Sequence, residues 1–296
     1  MACPFLREVQ VKYCRTSAVR KLIPLAQGAA AEGRCATADH ARCKAFQLEP
    51  GASSEGASDG PCPYLTESLM QYCGAAPVTK FVPFSEASLS RCGRQSFRYC
   101  ELYLAMAHPE LPESVEGIEA PSWLRYSANH MWLDVTDDHV CHAGIDAFLG
   151  RALGKIDSLA YVWLSGRRRP AAVLTVAGMD LEVVFPNPLL LTGCNLHLRA
   201  NPSRIVTEPY TGGWLFEGTA LPETLAGLRE GISAQSWMEQ EQGRMNEYLQ
   251  QQTCAGQACD GGLFAAGLPR HLDRSQWQAC YHEFFSPDVN DKGEPQ

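Results

Sequence analysis

The chain has 296 residues, with 25 Lys/Arg against 33 Asp/Glu and a formal net charge of −8. That length allows two or three modest domains, and no stretch approaches the roughly 18 consecutive apolar residues that a membrane-spanning helix needs. A strongly basic, nucleic-acid-gripping surface is excluded too: residues 1–104 carry 12 Lys/Arg and 9 Asp/Glu, and residues 105–296 carry 13 and 24.

The opening, Met1-Ala2-Cys3-Pro4-Phe5-Leu6-Arg7-Glu8, turns charged at once and has no secretory apolar run, which points to a cytoplasmic protein. Thirteen cysteines are present, eight of them in the first hundred residues. In a reducing setting, clustered thiols more often bind metal than form disulfides.

Residues 1–47 and 62–104 carry one pattern twice. Cys3-Pro4-Phe5-Leu6 answers Cys62-Pro63-Tyr64-Leu65, and Tyr13-Cys14 answers Tyr72-Cys73. Val19 to Pro24 answers Val78 to Pro83, after which two residues are lost. Arg34-Cys35 then answers Arg91-Cys92, and Cys43 answers Cys100. Residues 48–61, rich in Gly, Ser and Pro, read as a flexible linker between the copies.

A unit of this size buries too little apolar surface to offset chain entropy without a staple. A four-thiolate zinc site supplies about 10–16 kcal/mol of folding free energy, and an iron–sulfur cluster takes the same four ligands. The expected ligands are therefore Cys3, Cys14, Cys35 and Cys43 for one centre and Cys62, Cys73, Cys92 and Cys100 for the other. Neither copy has the C-x2-C knuckle of zinc ribbons or a ferredoxin-like cysteine run. Zinc is preferred because it asks only for the four ligands; two iron–sulfur clusters are the alternative. Arg34, Arg42, Arg91 and Arg98 stand near enough in sequence to offset thiolate charge. His40 has Phe97 as its counterpart and is read as a surface residue rather than a ligand.

Residues 105–122, rich in Pro and Glu, read as a tether. The pattern then turns to short strands: Trp132–Val135, His139–Ala143, Leu159–Leu164, Ala172–Val176, Leu181–Phe185 and Leu189–Leu191, with a helix over Ile145–Leu153. Pattern alone gives a small β-sandwich or barrel with one helix.

Particular residues say more. Tyr126-Ser127-Ala128-Asn129-His130-Met131-Trp132-Leu133, His142-Ala143-Gly144-Ile145-Asp146 and Ala152-Leu153-Gly154-Lys155-Ile156 stand in order. They are followed by Asn195, Asn201-Pro202 and Glu208-Pro209-Tyr210-Thr211-Gly212-Gly213-Trp214-Leu215. Over residues 124–220 this resembles the H protein of the glycine cleavage system, a lipoyl carrier. The resemblance implies an α+β chain whose middle domain is a lipoyl-type β-sandwich, with a modifiable lysine displayed on a hairpin. Counting back from Asn195, the lysine position falls on Gly178, and the chain's lysines are Lys12, Lys21, Lys44, Lys80, Lys155 and Lys292. Lipoylation needs a primary amine, so no lipoate is expected and the domain reads as a scaffold.

Residues 221–296 are expected to form a helical extension. Its helices fall over 222–251, with a capping box at Ser236-Trp237-Met238-Glu239 opening a second one, and over Ser275–Phe285. Ser286–Gln296 is expected to be disordered. Cys254, Cys259, Cys280 and His282 are candidates for a third metal site. No catalytic motif appears. The expectation is therefore a non-catalytic metal-binding adaptor that docks a protein partner. An electron-transfer protein with two clusters is the alternative, and a carrier with an unusual attachment is the third reading.

Overall fold

The computed structural model describes residues 2–16, 22–24, 34–49, 60–78, 80–82, 91–107, 118, 120–136, 139–162, 169–252, 259–260 and 263–287. Most of the linker 48–61, residues 108–117 and 119 of the tether, the Thr136–Asp138 turn beyond Thr136, the end of the Leu159–Leu164 strand, Cys254, and the terminus from 288 lie outside these. The chain divides into two compact units, Met1–Phe97 and Arg98–Gln296.

In the first unit, β1 (Leu6–Cys14) alternates β-forming Val9, Val11 and Tyr13 with polar Glu8, Gln10 and Lys12, the period-two signature of a strand with one side covered. It pairs antiparallel with β3 (Leu65–Cys73) along its whole length, from Leu6 opposite Cys73 to Cys14 opposite Leu65. Short outer strands β2 (Leu22–Pro24) and β4 (Lys80–Val82) complete the sheet in the order β2-β1-β3-β4. Lys12 Nζ meets Glu67 Oε1 across the central pair at 2.8 Å, and Gln71 donates to Glu8 at 3.1 Å. Thus the two copies share one sheet instead of forming separate modules. After its strands each copy makes two 3-10 turns, at Arg34–Ala36 and Ala38–Arg42 or Arg91–Gly93 and Gln95–Tyr99. A helix follows: α1 (Lys44–Gln47), or α2 (Glu101–Ala107), which belongs to the second unit.

The second unit is antiparallel β with helices. A six-stranded sheet runs in the order β11-β12-β7-β6-β5-β13. Its strands are β5 (Arg125–Tyr126), β6 (Met131–Val135), β7 (Val140–Ile145), β11 (Leu189–Cys194), β12 (Phe216–Ala220) and β13 (Arg229–Glu230). A three-stranded sheet has the order β10-β9-β8, built from β8 (Ser158–Val162), β9 (Ala171–Val176) and β10 (Met179–Val184). The chain is therefore α+β with several antiparallel sheets, and each expected strand of the middle segment lies within a few residues of an observed one. Leu159, Leu174 and Val183 of the small sheet enter the same buried cluster as Met131, Leu133 and Ile145 of the large one. The helix α3 (Ala147–Leu153) opens at Asp146, whose carboxylate accepts the Leu149 N–H at 2.9 Å and so satisfies an otherwise unpaired donor. A single turn, α4 (Arg204–Thr207), follows later.

The C-terminal segment departs from expectation. It is not an appended tail: β13 joins the six-stranded sheet beside β5, and α5 (Gly231–Gln252) buries Ala234, Trp237, Met238, Met245 and Leu249 in the same core. Ser236 lies inside α5 and opens no helix, because the apolar residues on either side of it share one continuous buried stripe. The short β14 (Cys259–Asp260) and β15 (Leu263–Phe264) pair antiparallel. α6 (Arg274–Phe285) starts at Asp273, which exchanges hydrogen bonds with Gln276 in a capping box.

Gly144 shows how tightly this core is filled. A Cβ placed there would stand 2.9 Å from three atoms of the fully buried Trp132 indole. Gly144→Ala should therefore destabilise the chain by about 1–3 kcal/mol through overpacking, read as a lower urea midpoint. An unchanged midpoint would show that the indole moves freely.

Candidate functional site

The described part of the cysteine region buries few apolar side chains. Among the described residues of the first unit, the buried apolar side chains are Val11, Phe46, Cys62, Val82 and Phe97. Its other described cysteines are partly exposed, and none forms a disulfide. Cys35 sits on the first 3-10 turn, and Cys43 ends the second, its N–H bonded to the His40 carbonyl at 2.9 Å. Cys62 approaches from the other copy, its N–H donating to the Cys35 carbonyl at 2.8 Å. Burial pushes the Cys35 thiol up, and the neighbouring Cys62, Cys43 and Cys14 push it further, with Arg34 opposing them. Ionising Cys35 in these surroundings is therefore resisted. The thiols are not drawn in around a point: among the described residues, no group of three or more His, Cys, Asp or Glu side chains is gathered closely enough to hold a metal ion.

Two neighbours read from sequence change role. His40 is not on the surface but buried, its Nδ1 2.7 Å from the Thr37 carbonyl and its ring edge-on to Phe46 at 5.0 Å. Its counterpart Phe97 is buried as well, so the position belongs to the small core of each copy. Arg98, expected to offset thiolate charge, instead pairs with Asp134 at 3.0 Å, and the same carboxylate oxygen accepts the Tyr99 hydroxyl at 2.6 Å. Among the third set of candidates, Cys280 is fully buried against the Met245 sulfur at 3.8 Å and its thiol is pushed up to about 12 by burial. His282, two residues on in the same helix, is exposed. Cys280 is thus a core thiol held apart from His282, and Cys254 lies outside the described residues.

Gly178 lies at the tip of the β9–β10 hairpin, where Val176 stands opposite Met179 and two residues make the turn. Both turn residues have positive φ, 50° at Ala177 and 74° at Gly178, the backbone that favours a two-residue hairpin with the right-handed twist of strands. Both are exposed, and a Cβ at Gly178 would meet nothing within 4 Å. The hairpin tip therefore presents only glycine and alanine to solvent. Lys155, elsewhere in the unit, is exposed and lies 3.5 Å from Asp157.

A buried cluster of titratable side chains lies elsewhere. His130, with φ of 60°, is fully buried between the rings of Phe148 and Trp237, at 4.1 and 4.8 Å. Its Nδ1 is 2.8 Å from Asp146, and its Nε2 is 3.7 Å from Glu241 of α5, which also pairs with Arg244 at 2.7 Å. Sequence singled out His130 only through the H-protein resemblance; nothing local could show that Glu241, over a hundred residues away, would reach it. With no exposure to solvent, the imidazole is placed to tie α5 to the sheet.

Burial by itself would push His130 down, but the two carboxylates outweigh it and hold the ring above its usual range. A raised folded value means that its stabilisation is complete below the unfolded pKa of about 6.5 and is lost as pH rises through the folded value. Urea unfolding should show stability falling as pH rises above about 6.5, with a shallower fall in His130→Gln. Equal slopes for the two proteins would show the ring to be neutral in the fold.

No protein-family model matches the chain, and no curated protein matches it. Among solved structures, the chain is similar to a glycine cleavage system H protein from Mycobacterium marinum at 21% identity and a TM-score of 0.34, over 41% of this chain and 98% of that one.

Proposed function

We propose that this protein is a non-catalytic, metal-binding scaffold whose residues 124–220 form a lipoyl-type, H-protein-like β-sandwich without its lipoyl lysine, serving to dock a protein partner in a reducing, cytoplasmic setting. One observation carries the metal part. The first unit combines seven of the eight cysteines of the duplicated set, Cys3 to Cys92, with a described core of only a few buried apolar side chains. Burying an apolar side chain contributes about 1.5–3 kcal/mol, so the few described here offset only a small part of the ordering entropy of the described residues. Two ions held by thiolates would supply what the core lacks. Zinc is preferred over iron–sulfur clusters because structural zinc requires only the ligands.

The lipoyl-type reading rests on the ordered residues from Tyr126 to Leu215 and on the hairpin bearing Gly178. The hairpin keeps the form needed to display a group at its tip but has no amine there. Docking without cargo is the role that such a scaffold retains. Among the described residues no helix is long and apolar enough to cross a membrane.

The test is one anaerobic preparation of the full chain. Colourless protein with about two zinc ions per chain, and an intact mass unchanged by growth with lipoate, is the expected result. A brown protein carrying iron and labile sulfide would replace the scaffold by an electron carrier, and a lipoyl adduct would replace it by a true carrier. Chelation should then make residues 1–97 sensitive to protease while 98–296 stays intact. Equal resistance of the first unit with and without chelator would mean that it does not fold on metal.

A further inference from the structure

Sequence groups the cysteines by copy; the strand register groups them differently. The copies are offset by 59 residues over their strands, and Gln10 stands opposite Leu69, its own counterpart, so the β1–β3 pair is two-fold symmetric about that point. Antiparallel pairing brings the end of β1 at Cys14 to the start of β3 at Leu65. It equally brings the end of β3 at Cys73 to the start of β1 at Leu6. The cysteine that opens each copy lies three residues before its strand. Cys62 is therefore delivered to the Cys14 end, and Cys3 to the Cys73 end.

Three backbone hydrogen bonds fix this placement, and each occurs twice. Leu65 N–H bonds to the Cys62 carbonyl at 2.9 Å, as Leu6 N–H does to that of Cys3 at 3.0 Å. Arg15 N–H reaches the Tyr64 carbonyl at 3.0 Å, as Gly74 N–H reaches that of Phe5 at 2.8 Å. Cys62 N–H bonds to the Cys35 carbonyl and Cys3 N–H to the Cys92 carbonyl, both at 2.8 Å. The recurrence of all three bonds makes the exchange a property of the repeat.

We propose that Cys14, Cys35, Cys43 and Cys62 form one binding set for a soft, tetrahedral divalent cation, so that the ion is held by three thiols of the first copy and one of the second. This rests on the metal-binding reading above and changes which thiols share an ion. The mirror arrangement within the same unit gathers Cys3 with Cys73 and Cys92. Each Sγ is carried on a single rotatable bond, so a change of rotamer is the movement by which an ion gathers thiols that the backbone has already brought together. Binding would exchange thiol protons for metal–sulfur bonds, releasing the protons to solvent with no change of oxidation state. A physical consequence follows: the exchanged cysteine ties the copies to each other, so one ion stabilises the shared sheet.

Paired serine substitutions in the full chain separate the two groupings. Cys14→Ser with Cys62→Ser should strip one set and leave the other, taking zinc from about two ions per chain to about one. Cys3→Ser with Cys14→Ser should damage both sets and leave close to none. The reverse pattern would overturn the exchange and restore grouping by copy, while a wild-type chain without metal would overturn the metal reading itself. Should a variant fail to fold, dibromobimane bridging of wild-type thiols, mapped by peptide mass, decides the grouping. Bridges from Cys62 to Cys14, Cys35 or Cys43 are expected, and bridges from Cys3 to those three in place of Cys62 would overturn it.

Discussion

The first unit depends on the antiparallel pairing of β1 with β3. Every residue of β1 has a partner on β3, and little else in the described part of the unit is buried. Pairing supplies backbone hydrogen bonds and cross-strand contacts such as Lys12 with Glu67, but exposed ion pairs of this kind contribute at most about 1 kcal/mol. Strand pairing by itself is marginal in water, and a sheet persists when one of its faces is covered. In the proposed reading, the thiols at its two ends would place a few strong bonds where each closes a loop as well as a strand pair.

The second unit solves the same problem with a core. Trp132, Trp237, Trp277, Phe148 and Phe285 are buried together with side chains from both of its sheets. Inside that core lies a titratable group, His130, between Asp146 and Glu241. A buried ion pair is weak evidence of net stability, since desolvation offsets much of the attraction. Its effect is positional. Asp146 caps α3 with one oxygen and meets His130 with the other, while His130 reaches α5, so two helices and a strand are set relative to one another by one ring.

The proposed loss of cargo and gain of metal fit that division. A hairpin whose tip is Ala177-Gly178 keeps its turn for conformational reasons that hold whether or not a lysine is present. Its chemistry, by contrast, depends on a side chain that glycine does not have. In this reading the ligand-binding capacity of the chain has moved from the hairpin of the second unit to the sheet ends of the first.

Much of this was legible in the sequence. Short apolar runs separated by turns located most strands of the middle segment, and helical spacing located α3, because those signals are local and repeat within a few residues, whereas β1 was not read as a strand. The duplicated cysteines, and the absence of a lysine from the Val176–Met179 turn, were plain from residue identity alone. The tertiary structure decided the rest. His40 passed from surface to core because burial depends on what packs above a residue. Ser236 fell inside α5 because a continuous apolar stripe outweighs a local capping signal. Cys280 and His282 parted because two residues along a helix turn the side chain about 200°. Above all, the neighbours of Cys14, Cys35 and Cys43 were settled by strand register: spacing along the chain tells how far apart two cysteines can be, and only the pairing of β1 with β3 tells that Cys62, from the other copy, is the one delivered beside them.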